Sequence, residues 1–282
     1  MPYQAIQQIQ IGRALKSSKQ AAETLEALKK AAYAGIELCD FMLHPAPFLV
    51  RLLTRTAGMP IGRCVHFDWP KLIRESGLKV PAIHYSLDTA ENDPDKLFAE
   101  AEQFKNHYVV IAGIYRFDFT NSEKVRELAS RLNRCGSRLK RGGIELLYHN
   151  HNIEFLPTDE GPSAYDILLK ETDPDAVNFE TDFYWAADAG IGVRELLEKT
   201  GERMKLCHIS DRGNREAFKS IKPIVKMENT ELGRGSLDLK AVIEAAKAWG
   251  TEAVILEMTR NHLHNNPIES AEVSAEWLRQ EL

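Results

Sequence analysis

Eight short apolar runs alternate along this chain with longer stretches of helical period, and that alternation limits the possible folds more than any other feature. The runs are Ile6–Ile11, Gly35–Cys39, Val80–His84, Tyr108–Ala112, Ile144–His149, Ala176–Glu180, Met204–Ile209 and Ala253–Glu257. Between them apolar residues recur at i, i+3, i+4 and i+7, the spacing of one helix face. Ala21, Leu25, Leu28 and Ala32 form one stripe, and Leu97, Ala101 and Phe104 a second. Val125, Leu128 and Leu132 form a third, and Leu239, Val242, Ile243 and Ala246 a fourth. Asp93 before Pro94, and Ser236 before Leu237, suit helix starts. The third helix is expected over Trp69–Ser76, ended by Gly77, and the long stretch between Phe41 and Phe67 leaves room for an extra helix. Eight strands with intervening helices predict a closed parallel (β/α)₈ TIM barrel, an α/β fold spanning residues 1–282 as one domain. A doubly wound open sheet is the competitor. It usually has fewer strands and often a glycine-rich turn after the first, and neither is seen here.

A chain of 282 residues, 44% hydrophobic and 27% charged, is large enough for one such barrel and its core. Its 36 basic and 41 acidic residues give a net charge of −5, which disfavours a general nucleic-acid binder. Cys39, Cys64, Cys135 and Cys207 form no CxxC pair and read as buried thiols in a reducing compartment. The N-terminal segment has no signal-peptide pattern. No apolar run approaches the roughly 20 residues a membrane span needs. A cytoplasmic protein without membrane partners is expected.

In a barrel of this kind, reactive groups sit at the C-terminal ends of strands or in the loops just after them. The unusual polar residues fall there repeatedly. The second candidate strand ends in Glu37-Leu-Cys-Asp40 and the third at His84. The fifth ends in Tyr148-His149-Asn150-His151 with Glu154 close behind, and the sixth in Glu180-Thr-Asp182. His208, followed by Asp211, ends the seventh, and Glu257 the eighth. A lone strand-end histidine is more often a hydrogen-bonded packing residue than a ligand, and an isolated acid is usually a cap or a solvated charge. Four consecutive strands ending in His, Asp, His and Glu are a different matter, because their ends face one shared mouth. Carboxylates so gathered would repel one another without a cation. Two imidazoles with two carboxylates suit Mn²⁺, Co²⁺, Zn²⁺ or Fe²⁺. On the fifth strand His149 and His151 lie two apart and share a face, and Glu154 offers a carboxylate, so three residues compete for one ligand position. Trp185 could wall a sugar ring, with His84 and Glu180 as further substrate contacts. The amides of Gly233-Arg-Gly235 could receive an anionic or hydroxyl group, and Asp211 with Arg212 could form a local ion pair.

These blocks resemble the xylose-isomerase-like barrels of the sugar phosphate isomerase/epimerase family. The likeness runs from Ala34-Gly-Ile-Glu37-Leu through Tyr148-His-Asn-His151-Asn-Ile-Glu154-Phe155 and Asn178-Phe-Glu-Thr-Asp182-Phe-Tyr-Trp185. It continues through Cys207-His208-Ile-Ser-Asp211 and Leu232-Gly-Arg-Gly235-Ser-Leu-Asp238 to Ile255-Leu-Glu257. The resemblance implies a divalent metal (Mn, Co, Mg or Zn) held by His149, Asp182, His208 and Glu257. His149 stands where many members carry Glu. It further implies a small carbohydrate substrate, with barrels of this kind often associating as homo-oligomers. The reaction expected is proton abstraction alpha to a carbonyl through an enediolate, with Glu257 and one of His149, His151 or Glu154 moving the proton. Isomerisation or epimerisation leads. Elimination by a dehydratase or lyase is the alternative, because a histidine supplies a base distinct from the acid. Endonuclease action at abasic DNA sites, or a non-catalytic sugar-binding barrel, would be the remaining readings.

Overall fold

The computed structural model describes residues 1–45, 64–114, 117–213 and 228–282. Its strands are β1 (Tyr3–Gln7), β2 (Gly35–Cys39), β3 (Ala82–Tyr85), β4 (Tyr108–Ala112), β5 (Glu145–His149), β6 (Val177–Asp182) and β7 (Met204–Ile209). A short ribbon of β8 (Asp211–Arg212) and β9 (Asn229–Thr230) follows, and then β10 (Ala253–Leu256). The eight longer strands close in the order β1-β10-β7-β6-β5-β4-β3-β2, every pairing parallel, while β8 and β9 pair antiparallel. The chain therefore folds as a (β/α)₈ barrel with helices between its strands.

Side-chain alternation along the strands makes two unlike layers inside this barrel. Ala5, Ala82, Tyr108, Val110, Leu147, Leu206, Ala253 and Ile255 pack together as an apolar plug, separate from the larger core under the helices. Two residues further along the same strands stand Gln7, His84, His149, His208 and Glu257. The register sets Gln7 beside Glu37, His149 beside Glu180, and Asp182 beside His208. One period-2 step thus converts a greasy plug into a polar floor at the C-terminal mouth.

The helix stripes are buried as expected at Leu25, Leu28, Leu97, Val125, Leu128, Leu132, Val242 and Ala246. Ala32 departs: the helix Ser18–Lys30 stops before it, and Ala32 takes a left-handed φ of 72° in the turn into β2. Asp93 caps the helix Pro94–Phe104 by accepting the Lys96 amide, and Trp69–Ser76 forms a helix ended by Gly77 at φ 66°. Ser236 is not the cap expected. Asp238 accepts the Ala241 amide and starts the helix Leu239–Trp249. The first strand also begins and ends earlier than Ile6–Ile11. The Gln7 side chain accepts the Ile9 amide and turns Gln8–Ile11 into a helical turn, whose buried Gln8 and Gln10 accept the amides of Cys39 and Met258. The extra helix expected between Phe41 and Phe67 falls largely outside the described residues. Cys39, Cys135 and Cys207 are buried free thiols.

The helix Ser122–Lys140 approaches β6 through Gly136, where an added Cβ would lie 2.1 Å from the Ala176 carbonyl oxygen. Backbone cannot yield there as a flexible side chain would. Gly136→Ala is expected to destabilise the barrel by about 1–3 kcal/mol, read as a lower urea midpoint at unchanged slope. An unchanged midpoint would contradict this packing.

Candidate metal centre

Ligand-capable atoms of His149, Asp182, His208 and Glu257 all lie within 4.8 Å of one another. Their side chains are 3%, 3%, 0% and 14% exposed, so Glu257 is the one most open to the mouth. Each comes from a different strand end, and local bonds hold it there. Asp182 ends β6 and caps the next helix, its Oδ1 accepting the Trp185 amide at 2.7 Å. Asn150 clamps the same residue from β5, donating to the Asp182 carbonyl and accepting the Asp182 amide, both at 3.0 Å. His208 Nδ1 lies 3.1 Å from Glu257 Oε2 and 3.8 Å from Asp182 Oδ2.

Beneath this group Glu37, His84, Glu180 and His208 make a second cluster. Glu37 Oε2 lies 2.6 Å from His208 Nε2, and Glu180 Oε2 lies 2.9 Å from His149 Nδ1. His84 Nε2 stands 3.0 Å from each carboxylate. Of the two residues expected at the substrate, Glu180 lies against His149 and His208, and His84 against Glu37 and Glu180. Glu180 is fully buried beside the imidazoles of His149 and His208. A third grouping, Asp40, His44 and Glu100, already has the Lys96 ammonium at 2.6 Å from Asp40 and the Tyr85 hydroxyl on Glu100.

Electrostatics show what the upper group lacks. Burial, and then the charge of Glu257, push the Asp182 carboxyl up to about 8. Burial would raise Glu257 too, but the hydrogen bond and charge of His208 outweigh it and hold Glu257 at about 2. Two buried carboxylates so close cannot both stay ionised without a cation between them. Burial keeps the imidazole of His149 below its usual value, and burial with the neighbouring His149 takes His151 down to about 4. Two imidazoles and two carboxylates, aimed at one buried point and short of positive charge, fit a divalent ion. Ion binding must then displace the Asp182 proton below pH 8. Against burial, the charges of Glu180 and Glu37 also hold the His208 imidazole well above its usual range, so apparent affinity for Mn²⁺ or Zn²⁺ is expected to rise with pH from 6 through 8, at least one proton being released per ion. A flat profile between pH 6 and 8 in a proton-release titration would contradict this arrangement.

The three fifth-strand candidates separate in space. His149 joins the metal-facing set. The His151 ring centroid lies 5.0 Å from that of His149 and 5.6 Å from that of Trp185, so His151 and Trp185 form one wall beside the centre. Glu154 is fully buried, accepting the Tyr148 hydroxyl at 2.9 Å and the His151 amide at 3.0 Å. Both carboxylate oxygens of Glu154 are thus engaged in holding the loop that carries His151. The Gly233 and Gly235 amides are also spent, both donating to Asp211 Oδ2, at 3.1 and 2.9 Å. They therefore offer no anion cradle. Asp211 is a loop organiser here, and Arg212 pairs with Asp188 and Glu228 instead. Gln7 and Asn150 escaped the sequence reading. The run of buried glutamines after β1, and the Asn between two histidines, were the available signals.

The xylose isomerase-like TIM barrel family matches residues 25–281, and this chain belongs to it. An inosose dehydratase of Lacticaseibacillus casei is 27% identical over 168 residues, covering 57% of this chain and 55% of the relative. The match thus spans about half the length of that relative. A sugar phosphate isomerase/epimerase structure from Parabacteroides distasonis ATCC 8503 superposes with a TM-score of 0.76 at 22% identity, covering 98% of this chain and 93% of the other. The IOLI protein, solved with a bound zinc atom, gives a TM-score of 0.64 at 16% identity over 98% and 96% of the two chains. Among the described residues no helix is long and apolar enough to cross a membrane.

Proposed function

We propose that this chain is a divalent-metal-dependent enzyme that isomerises or epimerises a small sugar or keto-sugar derivative by removing a proton alpha to a carbonyl. The convergence of His149, Asp182, His208 and Glu257 within 4.8 Å at the barrel mouth carries this reading. A divalent ion bound there would polarise a carbonyl and its adjacent hydroxyl and stabilise developing enediolate charge. The other parts of the chemistry fall to the chain's own groups.

Glu257, the most exposed of the four, would approach the substrate carbon from the β10 side, a role its exposure supports. His151 stands across the centre, and burial keeps its ring neutral with a lone pair free to receive the proton, while His149 spends Nδ1 on Glu180 and turns Nε2 to the ion. Trp185, almost buried beside His151, gives an apolar wall that excludes water from one side of a sugar ring. A proton returned to the same carbon from the opposite face gives epimerisation, and a proton delivered to the neighbouring carbon gives isomerisation.

A dehydratase reading is favoured by one further observation. The His151 imidazole and the Glu257 carboxylate are chemically different groups, and a distinct base and acid suit elimination of a beta hydroxyl. The inosose dehydratase relatives support the same reading. Both share the first step, so incubation in D₂O with Mn²⁺ over ketoses, keto-glycosides and inososes tests them together. Deuterium entering the carbon alpha to the carbonyl of at least one compound is expected. Loss of water from the product would select the dehydratase, and no exchange with any of these classes would count against carbon-acid chemistry.

A further inference from the structure

We propose that Glu37 and Glu180 are positioning residues that fix which ring nitrogen of His208 and of His149 is turned to the metal, and that Gln7 sets the direction of this hydrogen-bond chain. The inference rests on the reading of His149 and His208 as metal-facing ligands. Direction can be derived because one end of the chain is a backbone amide. Ile9 N–H can only donate, and it donates to Gln7 Oε1 at 3.1 Å. The Cys39 thiol points to the same oxygen at 3.4 Å. The Gln7 amide therefore cannot be flipped, and its Nε2 donates to Glu37 Oε2 at 2.8 Å.

Glu37 Oε2 is thereby an acceptor, and it also receives His208 Nε2 at 2.6 Å. His208 therefore carries a proton on Nε2, and its Nδ1, 3.1 Å from Glu257 Oε2 and 3.8 Å from Asp182 Oδ2, is the nitrogen left to coordinate once an ion replaces the proton it shares with Glu257. On the other side Glu180 Oε2 accepts His149 Nδ1–H at 2.9 Å, so the Nε2 of His149 keeps its lone pair. His84 Nε2, 3.0 Å from both Oε2 atoms, is the shared partner that lets two fully buried carboxylates stand side by side. Each metal-facing imidazole thus has one nitrogen spent on its own buried carboxylate. This fixes both ring orientation and ligand basicity.

The test compares wild type, Glu37→Gln, Glu180→Gln and Asp182→Asn. One readout is Zn²⁺ titration against a competing chelator. The other is ¹⁵N NMR of the histidine rings in the metal-free proteins. A glutamine keeps the shape of the carboxylate but presents an NH₂ that reverses the hydrogen bond. Expected in wild type are a neutral His149 with its proton on Nδ1 and a His208 with a proton on Nε2 held by Glu37; the His149 tautomer should reverse in Glu180→Gln, and the His208 Nε2 proton should be lost or strongly shifted in Glu37→Gln. Zn²⁺ affinity should fall about 10–100-fold in each glutamine variant, at one ion per chain. Wild-type affinity and unchanged ring shifts in Glu37→Gln and Glu180→Gln, with binding lost in Asp182→Asn, would overturn the positioning role and leave the metal reading intact. Unweakened binding in Asp182→Asn would instead sink the metal reading, while the ring shifts still decide the tautomers. Two ions in wild type, one of them lost in Glu37→Gln, would show the lower cluster to be a cation site and also overturn the proposal. If a glutamine variant does not fold, the wild-type spectrum decides, because a His149 proton on Nε2 alone, or a His208 without its Nε2 proton, contradicts the chain of bonds.

Discussion

Asp182→Asn is expected to lower divalent-metal affinity by more than about 10²-fold, beyond the loss typical of an outer hydrogen-bond partner. That corresponds to about 2.7 kcal/mol or more of binding free energy. Asparagine keeps the side-chain oxygen that caps Trp185, so the local fold has no reason to fail. The metal-free variant should even gain in stability relative to wild type as pH rises. Burial and the Glu257 charge raise the Asp182 carboxyl to about 8 in the folded protein, from an ordinary value of 3.8. The folded state therefore binds this proton more tightly than the unfolded state does, and wild type loses stability from about pH 4 up to about pH 8. Asparagine has no proton to lose. Thermal melts of both metal-free proteins at pH 5 and pH 8 check this. A difference that narrows toward pH 8 would contradict the assigned environment of Asp182.

Glu257→Gln is expected to slow deuterium exchange by about 10²–10⁴-fold, the usual contribution of a positioned acid–base group. Glu257 combines contact with His208 and the greatest exposure of the four metal-facing side chains. The substitution removes both its charge at the centre and its capacity to carry a proton. Metal titration separates these contributions. Supplying saturating Mn²⁺ restores whatever was lost through affinity, and the remaining deficit in kcat belongs to proton transfer. Full recovery at saturating metal would show that Glu257 holds the ion without moving the proton.

The barrel and the positions of its polar strand ends were legible in the chain because both follow from simple periods. Val110, Leu147, Leu206 and Ile255 mark the inward face, and His149, His208 and Glu257 stand two residues past the last three. Three strands, Gly35–Cys39, Tyr108–Ala112 and Met204–Ile209, have the limits their apolar runs suggest. Hydrogen-bond partnership follows no period. Nothing in the local sequence says that Asp211 consumes the Gly233 and Gly235 amides 22 and 24 residues away. Nor does it say that Glu37 reaches His208 across 171 residues of chain. The first strand was misread for a related reason. Gln7 bends the backbone by bonding Ile9, a side-chain effect that the apolar pattern of Ile6, Ile9 and Ile11 conceals.

Most directly decisive is alpha-proton exchange in D₂O by chelator-stripped protein, followed as Mn²⁺ is added back in known equivalents with a responsive keto-sugar. A single metal centre formed by His149, Asp182, His208 and Glu257 predicts negligible exchange at zero equivalents and a plateau at one per chain. Exchange that persists undiminished in the stripped protein, or a plateau only at two equivalents, would contradict it.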